Sequence, residues 1–374
     1  MDRHEGTGRR ERLVSMLGSD DLRWFRAPGR VNLMGDHTDY NEGLVLPVAI
    51  HRDCLIASRP RGDGRVRIRS LEADGLVDVP ADGEVEPRSV EPAWGRLVAG
   101  VVRALARLGR PPVGIDAVVS STVPVGSGLA SSAALEVVLA LALDDAAWFP
   151  VAAEELAAAC RDAERAATGV PCGIMDQLIA LRARAGGALL IDCRSLETEP
   201  VPLARDLAIL VVHSGLPRAL ENSAYAQRRA AFEACARTLG VIALREATPE
   251  AAADLPLARH VVSEDERVRE TALALRTGDR PALARLFAES HASLRDDVGV
   301  STPELDALVS ALVGAGAVGA RLTGAGFGGC VVALVERRRL VHVAEAAVEG
   351  YRAETGLRPE TFVCRPSAAA GPAT

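Results

Sequence analysis

Residues 27–48, APGRVNLMGDHTDYNEGLVLPV, combine a dense set of polar groups with strand-like apolar flanks. The polar members are Arg30, Asn32, Asp36, His37, Asp39, Asn41 and Glu42. Such a density of directional hydrogen-bonding groups is typical of a site for a small polar ligand. If the segment is extended, His37, Asp39 and Asn41 point to the same side, at a spacing that suits the hydroxyl groups of a sugar. A turn-rich surface connection is the alternative that the spacing leaves open.

A second stretch, residues 123–136 (VPVGSGLASSAALE), has the features of an anion site. Gly126 and Gly128 would let the backbone approach a ligand closely, and Ser131 and Ser132 are suited to cap the helix that the following apolar run indicates. A glycine-rich loop that opens a helix directs free amides and the positive end of the helix dipole at one point. The loop is not a Walker A motif, because the terminal Gly-Lys-Ser/Thr is missing. A purely structural turn before a helix is the alternative.

Two later segments also carry candidate residues. Asp176 follows a proline and a glycine and precedes an apolar run, which places it at a turn-to-helix junction where aspartate often acts as a cap. Residues 321–335, RLTGAGFGGCVVALV, form a glycine-rich turn that enters a strand. A purely structural entry into the strand is the alternative for this glycine-rich segment.

The bulk composition restricts the classes of function. All 43 basic residues are arginine, so no lysine can contact a phosphate or act as a base. The net charge of −7 argues against nucleic acid as the main partner. Seven scattered cysteines indicate reduced thiols in a cytoplasm, and neither they nor the histidines show metal-ligand spacing. With no apolar signal core and no membrane-length apolar run, we expect a cytoplasmic protein that does not bind a membrane.

The chain of 374 residues is long enough for two domains. The hydrophobic periodicity weakens around residues 197–206, and we place the boundary there. The predicted division is a polar tail and helix at 1–22, an N-terminal domain at 23–200, a C-terminal domain at 201–365, and a disordered tail rich in alanine and proline at 366–374.

The first stretch resembles the signature of galactokinases, within the superfamily of galactose, homoserine, mevalonate and phosphomevalonate (GHMP) kinases. Residues 29–43 read GRVNLMGDHTDYNEG, close to the family form GRVNLIGEHTDYNxG, with Asp36 in place of glutamate. The glycine-serine loop resembles the phosphate-binding loop of the superfamily, and PCGIMDQ at 171–177 and GAGFGG at 324–329 resemble two further motifs. The resemblance extends from about Arg23 to about Cys364. It implies a two-domain α+β GHMP-kinase fold with the active site in the cleft between the domains.

The resemblance also implies ATP-dependent phosphorylation of D-galactose at the anomeric hydroxyl, with Mg²⁺. Asp176 would accept or orient the proton of that hydroxyl, and Arg30 would keep Asp176 charged and stabilise the transferring group. The implied sugar-binding residues are Asp36, His37, Asp39, Gly173, Asp176 and Tyr225. The implied ATP-binding residues are Pro124, Gly126, Ser127, Gly128, Leu129, Ala130, Ser131 and Ser132. Ser132 and Glu164 would bind the metal.

The exact substrate stays open at Asp36. Replacing glutamate by aspartate withdraws the carboxylate by about 1.5 Å, which is more than a hydrogen bond tolerates. We therefore expect galactose to remain a substrate, with altered selectivity at the far end of the sugar. Alternatives are a kinase for arabinose or N-acetylgalactosamine, or a catalytically silent sugar and ATP sensor that binds a regulatory protein. The intact serine pair, Arg30 and Asp176 favour an enzyme, and we expect a monomer or weak homodimer with the sugar and ATP as partners.

Overall fold

The computed structural model describes residues 3–18, 20–124, 126–216 and 221–373. The helices are α1 (Arg3–Leu17), α2 (Gly95–Arg107), α3 (Ser131–Ala147), α4 (Ala153–Thr168), α5 (Met175–Arg182), α6 (Glu221–Leu239), α7 (Pro249–Ala252), α8 (Pro256–Thr277), α9 (Arg280–Ser293), α10 (Pro303–Gly314) and α11 (Leu340–Thr355). The strands are β1 (Arg23–Asn32), β2 (Leu44–Val45), β3 (Pro47–Arg61), β4 (Arg65–Ser70), β5 (Leu76–Pro80), β6 (Gly114–Ser121), β7 (Gly187–Asp192), β8 (Thr198–Pro202), β9 (Leu207–His213), β10 (Gly319–Thr323), β11 (Cys330–Glu336), β12 (Glu360–Cys364) and β13 (Gly371–Pro372). No helix in these ranges is long and apolar enough to cross a membrane.

The N-terminal half is built on a sheet with the strand order β13-β1-β3-β6-β4-β5. Its pairs are antiparallel except for β4 and β6, which run parallel. Helices α2, α3 and α4 cover this sheet, and their small and branched residues, such as Val98, Val138 and Ala163, form one core with Ile56 and Val119. The apolar spacing of the sequence predicts a strand at 114–121 and helices at 94–108 and 152–168, and β6, α2 and α4 confirm them.

The C-terminal half is built on an antiparallel sheet with the order β10-β11-β9-β12. Successive residues of β9 point to opposite faces. Ile209 therefore packs in the same core as Phe287 of α9, whereas Leu210 packs with Tyr351 of α11. Leu33, just after β1, belongs to the same core as Ile209 and Phe287, so the segment that leads into the first polar stretch is buried where the two halves meet.

Two segments differ from the sequence-based expectations. The stretch at 197–206, where the hydrophobic periodicity weakens, contains β8, which pairs with β7 in a small sheet together with β2. The domain boundary predicted there falls at this strand and stays a prediction. The sequence also predicts a polar loop at 214–225 and a helix from Ala226, but helix α6 begins at Glu221, so Tyr225 lies within the helix.

The prediction of a disordered C-terminal tail is wrong for residues 366–373, which lie against the N-terminal half. Pro366 bridges to Ile50, and Gly371–Pro372 form β13 at the edge of β1. The N–H of Ala370 donates to the carbonyl of Ala180 in α5 at 2.7 Å. Because these contacts are made by the backbone, the alanine- and proline-rich composition gives no sign of them. Residue 374 lies outside the described residues.

Candidate active site

A cleft with a volume of about 210 Å³ lies between the two halves of the molecule. Its wall includes the predicted residues Arg30, Asp36, His37, Asp39, Gly128, Glu164, Gly173, Asp176 and Tyr225. The other residues predicted for the phosphate loop do not line this wall: Pro124, Gly126, Ser127, Leu129, Ala130, Ser131 and Ser132. The structure thus brings residues from four distant segments of the sequence together at one cleft.

Arg30 and Asp176 form a two-pronged ion pair. Arg30 Nε lies 2.7 Å from Asp176 Oδ1, and Arg30 Nη2 lies 2.6 Å from Oδ2. Such bidentate pairs fix geometry as well as charge. The third nitrogen of the same guanidinium donates to the backbone carbonyl of Gly128, and the Arg30 N–H donates to the carbonyl of Leu129. Arg30 therefore connects Asp176, at the start of α5, to the glycine-serine loop.

The glycine-serine loop enters α3 through unusual backbone conformations. Gly126 and Gly128 have positive φ, and Ala130 adopts the left-handed conformation (φ 60°), which residues with a Cβ rarely do. Ala130 is the N-cap of α3 and makes no side-chain cap bond, so the predicted capping by Ser131 and Ser132 is wrong. Ser132 instead donates to Glu164 Oε1 of α4 at 2.7 Å. Leu129 is buried, so only its backbone can face a ligand.

Asp36 is held by the third glycine-rich segment. Its Oδ1 accepts a hydrogen bond from the Gly324 N–H at 3.0 Å, and its Oδ2 lies 2.7 Å from Nη1 of the fully buried Arg321. Burial raises the pKa of Asp36, and the charge of Arg321 opposes that effect. Both carboxylate oxygens thus have protein partners at the wall of the cleft.

The predicted extended alternation of His37, Asp39 and Asn41 is wrong. His37 has a positive φ (64°), and residues 39–41 form a 3-10 turn in which the Asn41 side chain donates to the His37 carbonyl. Asn41 is therefore used structurally, whereas His37 and Asp39 line the cleft. Burial lowers the pKa of His37 to about 3, so the imidazole is neutral, and burial together with the charge of Asp176 raises the pKa of Asp39 to about 6.

Gly173 owes its place in the cleft to its lack of a side chain. A Cβ at this position would overlap the carboxylate of Asp39. The close approach brings the segment before α5 directly against the first polar stretch. Any larger residue here would displace the Asp39 carboxylate from its place in the cleft.

Helix α6 covers one side of the cleft with aromatic and basic side chains. The rings of Tyr225 and His37 have centroids 6.0 Å apart, and Tyr40 contacts Tyr225 edge-on. The Arg229 guanidinium lies 5.3 Å from the centre of the Tyr40 ring and donates to the carbonyl of Pro171. Through these contacts α6 packs against the first polar stretch and against the segment before α5.

Ser132 and Glu164 fit a divalent cation that is shared with a phosphate ligand. Both offer oxygen donors, which Mg²⁺ prefers, and Mg²⁺ usually takes only one or two protein ligands beside substrate phosphates. Burial raises the pKa of Glu164, and no salt bridge to it is found within the described residues. No cluster of three or more His, Cys, Asp or Glu side chains in those residues forms a preformed metal cage.

Sequence reasoning missed three residues that organise the site: Gln177, Arg229 and Arg321. Gln177 lines the cleft beside Asp176, and its place in the PCGIMDQ segment was the available signal. Arg321 opens the third glycine-rich segment, yet its pairing with Asp36 joins positions 285 residues apart, which no local pattern reveals. Arg229 had no signal beyond its place in an arginine-containing helix.

Comparison with known proteins identifies the family. Residues 14–60 match the galactokinase galactose-binding signature, residues 96–184 match the GHMP kinase N-terminal domain and residues 271–353 match the GHMP kinase C-terminal domain. A galactokinase of Roseiflexus sp. (strain RS-1) is 44% identical over 97% of this chain and 96% of its own length. A galactokinase of Chloroflexus aggregans is 43% identical over 93% of each chain.

Solved structures agree. The crystal structure of Lactococcus lactis galactokinase complexed with galactose superposes with a TM-score of 0.91 at 31% identity, covering 98% of this chain and 99% of that one. The mevalonate kinase of Methanococcus jannaschii, at 17% identity and a TM-score of 0.67 over 94% of this chain and 99% of that one, shares the fold alone. With this fold, these motifs and relatives of this identity along almost its whole length, the chain belongs to the galactokinase family of GHMP sugar kinases.

Proposed function

We propose that this protein transfers the γ-phosphoryl group of ATP to the anomeric hydroxyl of D-galactose, giving galactose 1-phosphate and ADP. The observation that carries the proposal is the position of Arg30, which pairs with both oxygens of Asp176 and also contacts the glycine-serine loop. One side chain thus joins the group that would receive a proton to the loop that would hold phosphates. The names of the Roseiflexus and Lactococcus relatives support the choice of galactose.

The chemistry follows from this geometry. Asp176 accepts the proton of the anomeric hydroxyl, or orients that hydroxyl, while the sugar oxygen forms its bond to the γ-phosphorus and the bond to the ADP oxygen breaks. The fixed charge of Arg30 lies against the Asp176 carboxylate and stabilises negative charge on the transferring group. The amides of residues 126–132 bind the triphosphate. Ser132 and Glu164 would hold Mg²⁺, which would supply neutralisation of the phosphate charge when bound.

The sugar half of the cleft sets the orientation of the acceptor. Asp36, His37 and Asp39 provide the hydrogen-bonding groups for the remaining hydroxyls, and Gly173 and Tyr225 complete the pocket. Nδ1 of the neutral His37 imidazole lies 2.6 Å from the Tyr40 hydroxyl, so Nε2 is the nitrogen left for a sugar hydroxyl. Because Asp36 is already held by Arg321 and Gly324, it offers the sugar only the unused lone pairs of its oxygens.

The same proposal covers the setting in which the enzyme works. Its ligands are the sugar, ATP and Mg²⁺, without nucleic acid or membrane. It acts in the cytoplasm as a monomer or weak homodimer. Size measurement by light scattering across a range of protein concentrations tests the last of these statements.

A substrate panel tests the proposal. ADP release is measured with magnesium-ATP and galactose, 2-deoxygalactose, galactosamine, glucose, arabinose, mevalonate or no acceptor. We expect the highest kcat/KM with galactose. Best turnover with another sugar would keep the mechanism and change the substrate. Sugar binding without turnover on any member would refute the catalytic roles and favour a sensor.

A further inference from the structure

A line of buried polar side chains joins three helices at the wall of the cleft. Gln177 of α5 is fully buried, and its Nε2 lies 2.8 Å from Glu164 Oε2 of α4 and 3.1 Å from Glu136 Oε2 of α3. Glu164 Oε1 in turn accepts from Ser132 Oγ at 2.7 Å. The family resemblance gives no role to Gln177 or Glu136.

The orientation of the Gln177 amide is determined by its two neighbours. Burial raises the pKa of both glutamates, but a carboxyl group keeps an acceptor oxygen in either protonation state. Because Gln177 Nε2 lies within hydrogen-bond distance of both, its two N–H groups donate one to each glutamate. Glu136 is completely buried, so its carboxyl group is an acceptor at a fixed position for the Gln177 amide, which in turn holds Glu164.

The hydrogen bonds of Gln177 also connect the proposed phosphate-binding residues to the Arg30–Asp176 pair. Ser132 and Glu136 lie one turn apart on α3 and so face the same way. Gln177 follows Asp176 in the first turn of α5, where Asp176 pairs with Arg30. A displacement of Gln177 would therefore change the spacing between Glu164 and Asp176.

We infer that Gln177 is a positioning residue for the metal- and phosphate-binding half of the site, with Glu136 as its buried anchor. Its amide holds the Glu164 carboxylate so that Oε1 lies beside Ser132 Oγ. This fixes the position of Glu164 relative to the Arg30–Asp176 pair. This inference rests on the proposed roles of Ser132 and Glu164. Mutation of residues that hold metal ligands in place commonly lowers metal affinity by about 10- to 100-fold.

The decisive variant is Gln177→Met, which keeps the side-chain length and removes both donors. The binding of ADP is measured by calorimetry over a series of Mg²⁺ concentrations, and galactose binding is measured separately without nucleotide. We expect the Mg²⁺ concentration for half-maximal nucleotide affinity to rise by about 10-fold or more, with the galactose Kd changed by less than about threefold. A role in packing alone would instead lower Tm and weaken both ligands to a similar extent, which would overturn the inference.

Two further variants separate the possible outcomes. Glu136→Gln keeps an acceptor oxygen for Gln177, whereas Glu136→Leu removes it, so the leucine variant should have the larger Mg²⁺ requirement of the two. Arg182→Gln, which changes an exposed ion pair to Glu154 at the other end of α5, is the control and should match the wild type. If Glu164→Gln raises the Mg²⁺ requirement and Gln177→Met does not, the inference alone fails. If neither does, the metal role of Glu164 fails as well.

Discussion

The two sides of the cleft neutralise charge in opposite ways. On the sugar side, carboxylates already have arginine partners within the protein: Asp176 pairs with Arg30, and Asp36 pairs with Arg321. On the phosphate side, residues 126–132 contain no basic side chain, and Glu164 is buried with Ser132 and Gln177 as its hydrogen-bond donors. On the proposed assignment, Asp176 and Asp36 of the sugar side thus have their charge partners before any ligand binds, whereas the phosphate side would rely on backbone amides and on a cation bound with the nucleotide.

This difference indicates that the two sides are suited to ligands of different charge, a neutral sugar and a triphosphate. A neutral sugar needs hydrogen-bonding groups held at fixed positions, and ion pairs to buried arginines hold them without adding net charge. A triphosphate carries its own charge and its own metal, so a loop of positive-φ residues that exposes amides is sufficient. Arg30 is the exception, because it contacts both sides.

The largest expected effect tests that exception. Asp176→Asn removes the proton acceptor and should lower kcat by about 10³-fold, with magnesium-ATP affinity nearly unchanged. Arg30→Ala should lower kcat at least as much and should also weaken nucleotide binding, because the contact to Gly128 is lost. Steady-state kinetics measures kcat, calorimetry measures nucleotide affinity, and Tm reports whether the fold is intact. Arg30→Lys keeps the charge without the bidentate geometry and is the matched variant.

Turnover within a few-fold of the wild type for either Asp176→Asn or Arg30→Ala would refute the catalytic assignment. Equal loss of nucleotide affinity in both variants would contradict the division of the cleft into two sides.

Removal of the C-terminal tail tests how far its contacts with β1 and α5 support the Arg30–Asp176 pair. Ending the chain after Arg365 removes β13 from the edge of β1 and the donor to Ala180 in α5, and these two elements carry Arg30 and Asp176. We expect kcat to fall by about tenfold and the free energy of unfolding to fall by about 2–4 kcal/mol, from several backbone hydrogen bonds of about 1 kcal/mol each. Magnesium-ADP affinity should be retained.

A point substitution checks the same contact. Ala370→Pro removes the N–H that donates to Ala180, whereas within the described residues the Ala368 N–H makes no backbone hydrogen bond, which makes Ala368→Pro the control. If both proline variants behave alike, the tail does not act through α5.

Asp39 predicts a pH dependence that belongs to the sugar side. Its pKa of about 6 means that the carboxylate becomes protonated as the pH falls through that value. If the charged form accepts a sugar hydroxyl, galactose affinity should fall by about tenfold per pH unit below 6, while nucleotide affinity changes little. Calorimetry between pH 5 and 8 measures both. Asp39→Asn should bind galactose weakly at every pH, and a slope that persists in this variant would point to another group.

The same shift has a consequence for stability with the opposite sign. Because the pKa of Asp39 is raised from its usual 3.8, its contribution favours folding fully below about pH 4 and is lost as the pH rises through 6. Asp39→Asn should therefore raise Tm at pH 7, although it weakens galactose binding.

The smallest effect is expected at Asp36. Asp36→Glu restores the residue of the family pattern but adds a methylene in a buried position between Arg321 and Gly324, and such overpacking costs about 1–3 kcal/mol. We expect kcat/KM for galactose to change by less than about tenfold, and the ratio of galactose to deoxy- and pentose analogues to change by a few-fold, which is about 1 kcal/mol. Identical discrimination by the two proteins would show that Asp36 does not determine selectivity.

Much of the site could be predicted from local sequence. Residues 29–43, the glycine-serine loop and the segment around Asp176 each carry their chemistry in consecutive positions, so the resemblance to a known family identifies Arg30, His37, Asp39 and Asp176 without coordinates. The strand at 114–121 is equally local, and so is β9, which the apolar run LAILVVH at 207–213 predicts.

The tertiary structure alone decided which groups neutralise and hold that chemistry. Arg321 beside Asp36, Gln177 between Glu136 and Glu164, and the tail against α5 join residues that are far apart in the chain. The local backbone also overrode the spacing of Asn41, which a 3-10 turn directs away from the ligand. A sequence specifies each side chain, but the pairing of buried charges depends on which segments the fold brings within hydrogen-bond distance, and that is a property of the packed chain.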